Sequence, residues 1–147
     1  MVLPLSRLTE LVVPSMRERG WGRIVTSASS GVVAPIPGLA ASNGLRSALL
    51  GRSKTLAGEV GADGITADVV VPGRIATARV RSLDEARAAR ESITVQEVER
   101  SSTSAIPVGR YGTPQQYSAA VLFLASAHAS YINGAQLRVA GGMLSNV

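Results

Sequence analysis

Ile65-Thr66-Ala67-Asp68-Val69-Val70-Val71-Pro72-Gly73 is the stretch that decides the architecture. So many β-branched and apolar residues in succession predict a strand, Ile65 to Val71, covered on both faces, and Pro72-Gly73 ends it abruptly. Coverage on both faces is the mark of a parallel sheet, because crossover connections place helices above and below it. The flanking sequence supports this. Immediately upstream, Leu45, Leu49, Leu56 and Val60 recur at helical spacing within 42–60, and Gly61 closes that helix. Before it, Arg23 to Ala28 reads as a short buried strand centred on Ile24-Val25, running into the small polar loop Ser27-Ala28-Ser29-Ser30-Gly31. Farther out, Leu5, Leu8, Val12 and Met16 mark an amphipathic helix over 5–19, stopped by a charged last turn and Gly20.

Downstream, Thr94 with Glu97 forms a capping box. Thr113, Pro114 and Gln116 form a second, with proline at the first helical position. The helix begun there runs through Val121-Leu122-Phe123-Leu124-Ala125, and after the Asn133-Gly134 turn Gln136 to Val139 is a last strand. The order helix, strand, helix, strand, helices, strand predicts right-handed crossovers in a single α/β domain with a doubly wound parallel sheet. Three strands make a small sheet. The strand beginning at Arg23 is expected to keep an unpaired edge unless another chain supplies its neighbour.

The 147 residues, 46% of them hydrophobic, suffice for one core and fall short of two ordinary domains. With no cysteine, disulfides and thiolate metal sites are excluded. A single histidine, His128, expected on the surface just past a helix, supplies neither a metal site nor a triad. The net charge of +5 comes from arginines spread along the chain with 3% aromatics, which does not describe a nucleic-acid track. The tightest group, Arg79, Arg81, Arg87 and Arg90, is interleaved with Asp84, Glu85 and Glu91 and reads as a solvated helix face. No apolar run approaches the roughly 20 residues that span a bilayer, and no secretory signal opens the chain, so a cytoplasmic location is expected.

Several stretches in order resemble the short-chain dehydrogenase/reductase family. They are Gly22-Arg23-Ile24-Val25 leading to Ser29, Gly64-Ile65-Thr66 leading to Val71-Pro72-Gly73, and Ile106-Pro107-Val108-Gly109-Arg110-Tyr111-Gly112-Thr113-Pro114. Tyr131-Ile132-Asn133-Gly134 and Val139-Ala140-Gly141-Gly142 continue the series. Within the family they look most like the 3-oxoacyl acyl-carrier-protein reductase type. The resemblance implies a partial Rossmann-like fold, the last three strands of a seven-stranded sheet with flanking helices. Residues 1–147 would then be the C-terminal portion of one domain, with the nucleotide-binding half and its glycine-rich fingerprint absent. Gly20-Trp21-Gly22 does not replace that fingerprint, because it precedes a strand instead of following one.

By residue type alone, Ser29 is a loop-capping hydroxyl, Ser42 a helix N-cap and Arg46 either a surface residue or a cofactor contact. The resemblance places Ser29 at the family's catalytic serine, Ser42 at its tyrosine and Arg46 at its lysine. An alkyl hydroxyl is far less acidic than a phenol, and arginine stays protonated with a different donor geometry. The usual proton transfer is therefore not expected from Ser42 and Arg46. Arg46 would keep the positive charge and could contact a ribose or phosphate of the cofactor, and Pro72, Gly73, Ile75 and Thr77 match the region bordering the nicotinamide, Ile75 and Thr77 as contacts to its carboxamide. For that region a strand end followed by a helix cap is an equal reading.

The resemblance further implies a nicotinamide cofactor, NADP or NAD, a small carbonyl or alcohol substrate, and reduction or oxidation between them. The isolated chain is expected to be inactive and its own cofactor binding incomplete. A noncatalytic dimerisation module, or a truncated gene product, is the alternative. The helices 5–19 and 42–60 would pair in a homo-oligomer, the second through its small face of Gly44, Ser47, Ala48, Gly51 and Ala57. No metal, membrane or nucleic-acid partner is expected.

Overall fold

The computed structural model describes residues 2–146. Helices α1 (Val2–Arg19) and α2 (Ala40–Val60) alternate with strands β1 (Gly22–Ser27) and β2 (Ile65–Pro72). Helices α3 (Ala78–Glu91), α4 (Val95–Ser104) and α5 (Pro114–Ala125) precede strand β3 (Gln136–Val139). The strands form one parallel sheet in the order β1-β2-β3. The central strand is the one that decided the architecture, and its covering is complete: Ile65, Ala67, Val69, Val70 and Val71 are at most 1% exposed. Ile65 packs with Val13 and Val60 on the α1/α2 side, and Val69 and Val71 with Ala28. Val70 meets Leu124 and Ala129 on the α5 side. Each valine, leucine or isoleucine so withdrawn from water contributes about 1.5–3 kcal/mol, each alanine less.

Local signals set most of the boundaries. Thr94 and Thr113 both close full capping boxes with Glu97 and Gln116, and Pro114 opens α5. His128 is exposed in a short 3-10 turn after α5. No helix among the described residues is long and apolar enough to cross a membrane.

Three expectations need correction. Helix α2 begins at Ala40, with Leu39 at the N-cap, so Ser42 is the third helical residue and not a cap. The reason is the Leu39 carbonyl, which accepts from the Asn43 amide at 2.8 Å and starts the ladder earlier. Helix α2 ends at Val60 as the spacing suggests, but Gly61 is right-handed; a 3-10 turn follows and Gly64, at φ 73°, makes the left-handed stop. Asp84 is not part of a solvated face: Arg79, Arg81 and Arg90 are exposed, whereas Asp84 is 4% exposed and faces inward.

Asp68 sits on β2 at 1% exposure. One carboxyl oxygen accepts from the Ala135 amide at 2.8 Å and the other has no partner. Burial pushes its pKa above the usual aspartate value, against the opposing hydrogen bonds. A raised folded-state pKa means that this group stabilises the fold at acid pH, where it is protonated folded and unfolded alike. That contribution is lost as pH rises through the folded-state value. Asp68→Asn is therefore expected to stabilise the protein by about 1 kcal/mol near pH 8, the gain fading toward pH 4. Urea melts of both proteins across that range measure it, and a variant less stable at pH 8 contradicts it.

Candidate functional site

Side chains of interest gather at the C-terminal ends of β1 and β2, where ligands bind in open α/β sheets. Ser29 lies two residues beyond β1 in extended backbone. Its Oγ accepts from the Gly31 amide at 3.2 Å and caps the 3-10 turn Ser30–Val32. The capping role is thus real, and it leaves the hydroxyl proton free to donate. Arg46 Nη1 donates to the Ala28 carbonyl at 3.0 Å, which fixes the half-buried guanidinium one residue before Ser29. Ser42, one helical turn earlier on α2, shares a face with Arg46. The structure therefore brings Arg46 to the Ser29 loop, with Ser42 stacked above it along the helix. Asn43 braces the same loop, its Nδ2 donating to the Ile36 carbonyl at 2.9 Å.

The other wall follows β2. Pro72 ends the strand, and the Gly73 amide donates to the Val139 carbonyl at 2.9 Å. The chain then makes an isolated parallel bridge, Ile75 to Gly112, before Thr77 caps α3 by accepting from the Val80 amide at 3.3 Å. This short segment separates two clefts. One, about 380 Å³, is lined by Ala76, Thr77, Arg81, Asp84, Glu99 and Tyr111 among others. The second, about 280 Å³, includes Arg74, Ile75, Gly112 and Val139. Ile75 and Thr77 thus line different clefts, while Ser29, Ser42 and Arg46 line neither.

Two features escape a reading of the sequence. Asn133, which reads only as a turn residue, accepts from the Ala67 amide at 3.0 Å and donates to the Ala57 carbonyl at 2.8 Å, stapling β2 to α2. Asp84 receives the Tyr111 hydroxyl at 2.9 Å and pairs with Arg74 at 2.7 Å. Burial raises the Tyr111 pKa; Asp84 adds to the rise, while Ser102 and Arg74 oppose it, so the phenol remains a donor at neutral pH. An acidic residue interrupting an arginine-rich helix face is the one visible sign of Asp84.

Around these strand ends the chain offers hydrogen-bond donors, a cation and an apolar border, which no single cleft brings together. Ser29 offers a hydroxyl, Arg46 a fixed cation, Thr77 a second hydroxyl, and Pro72 and Ile75 an apolar border. Among the described residues no G-x-G-x-x-G turn joins a strand to a helix.

Comparison with known proteins extends the picture. A family model described as enoyl-(acyl carrier protein) reductase matches residues 4–144. The 3-oxoacyl-[acyl-carrier-protein] reductase FabG of Rickettsia typhi is 39% identical over 93% of the chain and 52% of its own length. Among solved structures, YwfH, an NADPH-dependent reductase involved in bacilysin biosynthesis, superposes with a TM-score of 0.94 at 26% identity. That match covers 99% of this chain and 56% of YwfH. A variant of the actinorhodin polyketide ketoreductase with NADPH gives 0.91 at 28% identity, covering 99% of this chain and 56% of the ketoreductase. The chain spans about half the length of the curated relatives it matches.

Proposed function

This chain belongs to the short-chain dehydrogenase/reductase family, and from that premise we propose that it forms the C-terminal, nicotinamide-facing and substrate-facing portion of an NAD(P)-dependent oxidoreductase. The reaction class is reduction of a small carbonyl or oxidation of the matching alcohol, in a cytoplasmic setting. The single observation that carries the reading is the Arg46 hydrogen bond to Ala28, which brings a fixed cation to the Ser29 loop at the end of β1. The bound cofactor would supply or accept hydride. The Ser29 hydroxyl would donate a hydrogen bond to the substrate oxygen and orient it, keeping its own proton. Arg46 holds positive charge beside it, and the 72–77 segment borders the carboxamide.

What the site lacks is an acidic proton donor at position 42. Ser42 presents an alkyl hydroxyl, and Arg46 is a permanently charged fork, so neither reproduces a phenol paired with a lysine. Proton transfer of the usual kind is absent from this arrangement, and the chain by itself is expected to hold the nicotinamide end weakly and to turn over no substrate. Titrating NADPH and NADH into the chain and following backbone amide shifts by NMR tests the reading. Saturable shifts confined to residues 28–31, 46 and 72–77 are expected. No shift at these positions at millimolar cofactor overturns it.

The same reading includes a homo-oligomer built on α1 and α2. Its support is the cleft of about 520 Å³ between them, floored by Val13, Leu56 and Val60, together with exposed Leu8, Leu11 and Leu45. Gly44, Ser47, Ala48 and Gly51 are exposed on α2, whereas Ala57, expected on the same small face, is buried in the core, because it packs where Asn133 and Gly134 meet the helix. Light scattering on the NMR sample decides this part; a strictly monomeric folded chain removes it.

A further inference from the structure

Arg74, Asp84 and Tyr111 come from three separate parts of the chain and meet in one polar cluster around the buried Asp84, with Arg74 and Tyr111 half-buried. Asp84, on the inner face of α3, uses both carboxyl oxygens: Oδ1 pairs with Arg74 Nη1 at 2.7 Å, and Oδ2 accepts from the Tyr111 hydroxyl at 2.9 Å. Arg74 Nη1 also donates to that hydroxyl at 3.3 Å, and its guanidinium lies 5.6 Å from the Tyr111 ring centroid. The cluster closes over a backbone bridge. The Gly112 amide donates to the Arg74 carbonyl at 2.9 Å and the Ala76 amide to the Gly112 carbonyl at 2.8 Å. These bonds hold residues 74–76, which with Thr77 lie between the two clefts as their partition, and Asp84 and Tyr111 line the same cleft as Thr77.

We propose that Arg74, Asp84 and Tyr111 are positioning residues that clamp the 74–77 partition and so set the geometry with which it borders a bound cofactor. The inference rests on the reading of 72–77 as the nicotinamide border. A partition of four residues carrying two helix-external bridge bonds has little stiffness of its own. A half-exposed ion pair contributes little, whereas this carboxylate is almost wholly withdrawn from water, and leaving it or its partners unmatched costs far more. The charge-assisted bonds therefore hold the partition against α3 in one position. Neither Arg74 nor Asp84 needs to touch the ligand to do this.

Asp84→Asn keeps the shape and removes the charge; Tyr111→Phe keeps the ring and removes both hydrogen bonds of its hydroxyl. Amide hydrogen exchange and NADPH titration by NMR on both variants and the parent test the clamp. Exchange at Ala76 and Gly112 is expected to rise about tenfold in Asp84→Asn and less in Tyr111→Phe, with Val69 to Val71 unchanged. NADPH should bind about tenfold more weakly to Asp84→Asn. A parent that binds NADPH and an Asp84→Asn that binds it equally well overturn the positioning role alone. A parent whose 72–77 amides ignore NADPH overturns the underlying reading, and this role with it. Unchanged exchange at Ala76 and Gly112 overturns the clamp whether or not cofactor binds. Should Asp84→Asn lose protection at Val69 to Val71 as well, the fold has failed and Tyr111→Phe decides by the same criteria.

Discussion

Gly64→Ala is expected to destabilise the protein by about 3 kcal/mol, the largest loss from removal of any one glycine. Gly64 sits at φ 73° between the 3-10 turn and β2, a conformation that costs an L-residue about 1–2 kcal/mol. A Cβ there would also overlap the carbonyl oxygen of Gly20, which is backbone and has no rotamer by which to move aside. The clash forces the α1–β1 connection away from the start of β2, adding about 1–3 kcal/mol. Gly20 is the control. It has φ 62° and open space where a methyl group would sit, so Gly20→Ala carries the conformational cost alone. Thermal melts should show Gly64→Ala about 6–12 °C below the parent and Gly20→Ala about 2–8 °C below. Equal shifts for the two variants would show that the Gly20–Gly64 approach carries no stability.

The second large effect concerns chemistry. Ser42→Tyr with Arg46→Lys is expected to raise NADPH-dependent carbonyl reduction by about 10²–10⁴-fold, the contribution of a well-placed general acid. The measurement belongs in a polypeptide that carries residues 1–147 and binds NADPH. Both positions lie one turn apart on α2, so a phenol and an ammonium would share a face. A free phenol has a pKa of about 10, which a nearby cation lowers toward the working range. Arg46 is anchored on Ala28, and lysine gives up that planar fork for a compact charge, so the single change at 42 should recover only part of the gain. Equal rates in parent and double variant, with equal NADPH binding, would show that proton transfer is not what Ser42 fails to provide.

These two cases also show how far the sequence carries. Spacing puts the glycine that stops α2 at 61, three residues short of Gly64, because the intervening 3-10 turn has no periodic signature. Ser42 reads as a cap, since serine favours that position wherever a helix starts; a backbone bond from Asn43 to Leu39 decides otherwise. The candidate positions come from the family resemblance, which counts them from a strand end or along one helix. Ser29 lies just beyond β1, Arg46 one turn beyond Ser42, and Pro72 to Thr77 at and beyond the end of β2. What each side chain does there is not legible, since Arg46 finds Ala28 and Thr77 finds Val80 only once the elements have packed.

By itself the sequence determined the three strands, the helices between them and two full helix caps. The run from Ile65 to Val71 and the Thr-x-x-Glu and Thr-Pro-x-Gln patterns act over a few residues, where propensity and local hydrogen bonds dominate. Tertiary structure alone decided that Asp84 turns inward to Arg74 and Tyr111, that Asn133 staples β2 to α2, and that Asp68 lies buried with one oxygen unmatched. Each of these depends on partners distant in the chain. A polar side chain is indifferent in sequence between water and such a partner; the exclusion of water by close packing makes the choice.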